Sequence, residues 1–95
     1  MNLSVSGHHY HITDNTKEHI TLGVERLERF FSPIINVLVT VTQDGDEYRT
    51  DVVVNVKDHT LKSSDQGDKV FPVIDLALEK MERQLKKLHD KIHRF

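Results

Sequence analysis

Leu3 and Val5 alternate with Ser4 and Ser6 before Gly7, the two-residue period of a short strand with one buried side. From Thr13 or Asn15, both good helix N-caps, Ile20, Val24, Leu27 and Phe31 recur at spacings of four, three and four. That spacing predicts a helix, which Ser32-Pro33 ends because a proline pushes the residue before it out of helical geometry. Asn15 with Glu18 also fits a capping box. Gly23 lies inside this helix, where it costs about 1 kcal/mol relative to alanine. Next, Ile35, Val37, Val39 and Val41 alternate along residues 35–42, and Val52, Val54 and Val56 share one side of residues 48–56. The Asp44-Gly45 pair between the two runs is a hairpin signal, so they are expected to pair antiparallel. Lys57-Asp58-His59 is the following turn, Thr60 to Ser64 a weaker strand with Leu61 inward, and residues 64–68 a polar connection. A last helix runs from about Lys69 to the end, with Pro72 near its start and apolar residues at Ile74, Leu78, Met81, Leu85, Leu88 and Ile92.

The order is βαβββα. Four strands and two helices of this kind make an α+β fold, a two-layer sandwich of one four-stranded sheet with both helices on one face. Ninety-five residues with 37% hydrophobic and 29% charged positions suit a single domain, residues 1–95, with one core. No apolar run approaches the roughly 18 residues of a membrane span, and Met-Asn-Leu-Ser does not open a signal peptide, so the expected address is the cytoplasm. With no cysteine there is neither a disulfide nor a thiolate site. No large apolar patch is foreseen, which predicts a monomer in isolation.

Charge changes this picture. The chain carries a formal −2, yet residues 80–95 hold six bases and two acids (+4) while the other 79 hold seven bases and thirteen acids (−6). Such asymmetry points to an anionic partner. On a helical projection at about 100° per residue, the apolar positions of the last helix span one arc. Lys80, Arg83, Gln84, Lys87, Lys91 and Arg94 fall on one flank of that arc, and Asp75, Glu79, Glu82 and Asp90, with Lys86, take the remainder. A face built for solubility mixes signs as intrahelical pairs. A segregated row of cations suits phosphates spaced along a nucleic-acid backbone.

Elsewhere the chemistry is thinner. Lys17, Arg26 and Arg29 are interleaved with Glu18, Glu25 and Glu28, which accounts for them as exposed pairs; Arg26 is retained as a secondary contact. His8, His9 and His11 invite a metal, and His9 and His11 share a side if the first strand extends that far, but no HExxH-type motif accompanies them and no metal or other cofactor is expected. His89 and His93 lie one turn apart, where protonation could matter beside an RNA. No nucleophile, acid pair or glycine-rich phosphate loop assembles, so an enzyme is not expected. The aromatics are too scattered to stack bases, and Phe30, Phe31 and Phe71 read as core or core rim, leaving recognition of backbone and shape.

Several segments together resemble the ribosome hibernation promoting factor family. They are Ile12-Thr13 and Leu27 to Phe31 around the first helix, then Asp68, Phe71, Ile74-Asp75, Lys80, Arg83-Gln84, Lys87 and Asp90-Lys91. The resemblance covers essentially the whole chain. It implies a fold like that of double-stranded-RNA-binding domains. It also implies binding to the 30S subunit at 16S rRNA, where mRNA and the A- and P-site tRNAs would lie, with translation silenced by steric occlusion in stationary phase. By position it makes Lys80, Arg83, Gln84, Lys87 and Lys91 the rRNA contacts, with Lys86 and Arg94 basic in the same segment. Long members add a C-terminal dimerisation domain that this chain is expected to lack, so pairing of ribosomes would need a companion such as ribosome modulation factor. The alternative readings are a general structured-RNA or duplex-RNA module with another target, and a metal or protein-interaction domain using the N-terminal histidines.

Overall fold

The computed structural model describes residues 1–93. Strand β1 (Asn2–His8) is followed by α1 (Asp14–Glu25), a 3₁₀ turn at Arg26–Arg29, β2 (Asn36–Asp44), β3 (Glu47–Val56), β4 (His59–Gly67) and α2 (Val70–Ile92). The sheet order is β1-β2-β3-β4. β1 and β2 run parallel, joined by the α1 crossover, and β2, β3 and β4 form an antiparallel meander. This is the βαβββα sandwich expected from the sequence.

Alternation in the strands makes the sheet one-sided. Val37, Val39, Val41, Val52, Val54 and Val56 are buried against Ile20, Val24 and Leu27 of the first helical segment and Ile74, Leu78, Met81 and Leu85 of α2. The opposite face carries no helix and is mostly polar, with Leu38 and Val53 its apolar members. Ser6 bonds Thr40 there, and Asn55 bonds both Asn36 and Thr60. Both turns of the meander have two residues. Gly45 has φ 61° in the first and Asp58 φ 66° in the second, the left-handed conformation that tight hairpins require.

Several boundaries differ from the sequence reading. Thr13, not Asn15, caps α1: its hydroxyl accepts from the Thr16 N–H at 3.1 Å, which leaves Asn15 inside the helix and the Asn15–Glu18 box unformed. The α-helix stops at Glu25 and tightens into the 3₁₀ turn, well before the cis Ser32–Pro33 bond. β4 continues through residues 64–67, where a polar connection was expected. Ten-residue β3 offers backbone partners out to Tyr48, which pairs with Gly67, and ladder hydrogen bonds outweigh the weak strand preference of Ser, Asp and Gln. Ile35 is exposed and Ile34 buried in its place, because regular pairing with β3 begins at Asn36. Ile92 is 48% exposed, since the last turn of α2 has no buried partner, while Val73 and Ala77 join the buried face. The strand ends at His8, and His9 turns to φ 55°, so His9 and His11 do not share a strand face.

Gly23 gains a reason for its place. A Cβ there would lie 2.5 Å from Leu78 Cδ1, so glycine is what lets α1 and α2 approach. Gly23→Val should lower stability by about 1–3 kcal/mol through overpacking, although helix propensity alone favours valine over glycine. Urea denaturation checks this as a fall in midpoint at unchanged slope.

Candidate nucleic-acid interface

α2 is a 23-residue helix, about 34 Å long, whose buried stripe docks on the sheet and whose flank lies along β4. Two of the flank's residues are bonded to that strand. Lys80 Nζ donates to the Ser64 carbonyl at 3.0 Å, and Gln84 Nε2 to the Lys62 carbonyl at 2.6 Å. The match is geometric: four residues of helix advance about 6 Å, and two residues of strand nearly the same. Residues one turn apart on α2 therefore meet alternate outward carbonyls of β4. They also cover an edge that would otherwise offer unpaired acceptors to another strand.

The remaining cations of the flank are uncommitted. Arg83, Lys87 and Lys91 are exposed, and among the described residues they take part in no ion pair or side-chain hydrogen bond. Lys80 stands 3.7 Å from Asp65, an exposed contact of small energetic weight. Lys86, assigned to the acidic arc by projection, shares a shallow hollow with Arg83, Gln84, Lys87 and Asp90, so it is continuous with the row. Arg94 lies outside the described residues. Arg26 is not brought to this surface. It lines a hollow between α1 and α2 with His19, Arg29 and Asp75, on the opposite flank of α2. Lys62, exposed on β4, pairs with Val53 and so projects on the open face of the sheet; only its backbone carbonyl meets α2, through Gln84.

Some charged groups elsewhere have partners of their own. The guanidinium of Arg49 bonds Asp51 at 3.1 Å. That hydrogen bond, and then the carboxylate's charge, raises its pKa above the ordinary arginine value. His19 bridges the helices, 2.7 Å from Asp75 and stacked on Phe71 at a centroid distance of 4.6 Å. This role gives the half-exposed Phe71 a partner outside the core. The His8 and His9 rings are edge-on at 4.2 Å, and among the described residues no three His, Asp or Glu side chains converge as a closed metal centre would need.

Comparison with known proteins decides the family. Residues 3–93 match the family described as sigma 54 modulation protein / S30EA ribosomal protein. The chain belongs to this family. Its relatives include the ribosome hibernation promoting factor of Escherichia coli K12, 28% identical, with 97% of each chain covered. The ribosome hibernation promotion factor of Bacillus subtilis is 29% identical; the match takes 99% of this chain and 51% of that one. The chain thus spans nearly all of the one relative and about half of the other. Among solved structures, the N-terminal domain of Thermus thermophilus Protein Y superposes with a TM-score of 0.86 at 21% identity, covering 93% of this chain and 99% of that one. A ribosomal subunit interface protein from Coxiella burnetii gives 0.81 at 22% identity, covering 94% and 98%. At these identities the two structures speak for the fold. The family is one of ribosome-associated proteins, not of enzymes. No helix among the described residues is long and apolar enough to cross a membrane.

Proposed function

We propose that this protein is a ribosome hibernation factor that binds the 30S subunit through 16S rRNA and inhibits translation by occupying the mRNA channel and the A and P tRNA sites. The observation that carries the reading is the row of uncompensated cations on α2, in a family whose relatives bear the hibernation name. The mechanism is steric and electrostatic. The β4 braces at Lys80 and Gln84 hold α2 in register, and Arg83, Lys87 and Lys91, with Lys86 beside them, meet successive phosphates. The sandwich behind them fills space that mRNA and tRNA need. No bond is made or broken, no cofactor is required, and contacts of this kind are released by salt. The protein acts as a monomer in the cytoplasm of stationary-phase cells.

Added to a cell-free translation reaction, the protein should inhibit it, and excess mRNA with initiator tRNA should restore synthesis, because occlusion is competitive. Inhibition that persisted after the protein was washed from the ribosomes would refute occlusion. Duplex RNA of equal phosphate content that displaced the protein as well as small subunits do would instead identify a general RNA-binding module.

A further inference from the structure

The last turn of α2 carries a histidine pair that the cationic row does not use. His89 and His93 are four residues apart, and the His93 N–H donates to the His89 carbonyl at 3.0 Å, so the helical bonding runs as far as His93, the residue that caps α2. Their ring centroids lie 4.3 Å apart with planes tilted by 48°. Both residues are exposed, and Phe31 stands edge-on to the His89 ring with a centroid distance of 6.5 Å, limiting its freedom on one side.

We propose that His89 and His93 form a bidentate surface chelate for a borderline divalent transition metal such as Zn²⁺, Ni²⁺ or Cu²⁺, with the remaining coordination positions open to water or an added ligand. Imidazole nitrogen suits these ions, whereas Mg²⁺ and Ca²⁺ take oxygen. The i, i+4 spacing on one helix face is the one by which HExxH helices present two histidines to zinc. Two Zn–N bonds of about 2.0–2.1 Å at a tetrahedral angle put the donor atoms about 3.3 Å apart. Rings already this close reach that distance by side-chain rotation, without moving the backbone.

The electrostatic setting is mixed. On α2, the Asp90 carboxylate lies 3.7 Å from His89 Nδ1; Lys86 is nearly one turn earlier and Glu82 nearly two. The neighbour on the segment after the 3₁₀ turn is the uncharged Phe31. The helix ends here, and its unpaired carbonyls give this end a partial negative charge. Two protein ligands make the site weaker than a closed four-ligand centre.

The test is calorimetric titration of the whole chain with Zn²⁺, which does not involve the ribosome and so stands or falls apart from the proposed function. One equivalent should bind saturably. His89→Gln and His93→Gln should each weaken binding at least the roughly 10-fold that even an outer-shell partner costs. A variant with His8, His9 and His11 all changed to Gln should bind like the parent. Zn²⁺ should also raise the thermal midpoint of the parent and not that of His93→Gln. Absence of binding, equal affinity in the single-histidine variants, or loss confined to the N-terminal variant would each overturn the assignment.

Discussion

Replacing Arg83, Lys87 and Lys91 together with glutamine should weaken binding to the small ribosomal subunit by about 100-fold at 0.1 M salt. The magnitude follows from counterion release. Each phosphate contact to irregular RNA contributes about 0.7 to the slope of log affinity against log salt, so three lost contacts flatten that slope by about 2. If the contacts contribute nothing at 1 M salt, a tenfold dilution makes each worth about 5-fold, and the three multiply. Lys80 is left in place because its ammonium is bonded to the Ser64 carbonyl, and its loss would mix a binding effect with loosening of β4. The three replaced side chains are exposed, so circular dichroism and thermal midpoint should be unchanged. The control is Lys17→Gln with Arg29→Gln on the first helical segment, where the bases are interleaved with glutamates along the sequence and lie away from the row. Unchanged affinity and salt slope in the triple variant would make this flank a solvated face.

Leu85→Ala should do the reverse, destabilising the protein without touching the cationic row. Leu85 is 0% exposed and lies inside the cluster joining α2 to the sheet. Truncating such a leucine costs about 2–5 kcal/mol, through lost transfer energy and the cavity left behind. Against a usual domain stability of about 5–15 kcal/mol, that is a large fraction. For a chain of this size it lowers the melting midpoint by at least about 10 °C. Calorimetry reads the shift, and ribosome binding measured well below the new midpoint should be nearly unaltered. Parent-like melting in Leu85→Ala would contradict the core described here, whereas weak binding by its folded fraction would mean that α2 is positioned by packing alone and not by the β4 braces.

The fold class, the element order and the buried face of α2 were legible in the sequence because each rests on local periodicity. Valines at every second position can bury only one side of a strand. The leucines, isoleucine and methionine of α2 recur at helical spacing, and Asp44-Gly45 admits the backbone of a tight hairpin. The separation of acids from bases on α2 was readable for the same reason, since a projection needs only the angle per residue. What surrounds the projection could not be read from it. Lys80 and Gln84 lie with the free cations on a helical wheel, yet the β4 register turns them into braces. Arg26 is kept from the row because α1 packs on the opposite flank of α2. Gly23 reads locally as a weak point in a helix and is in fact the clearance for Leu78, and residues 64–67 read as a loop and are held in a strand by β3. In each case the deciding partner is distant in sequence. Local pattern determined which residues form elements and which faces are apolar or charged, and only the packing of those elements decided which charged side chains remain free to meet another molecule.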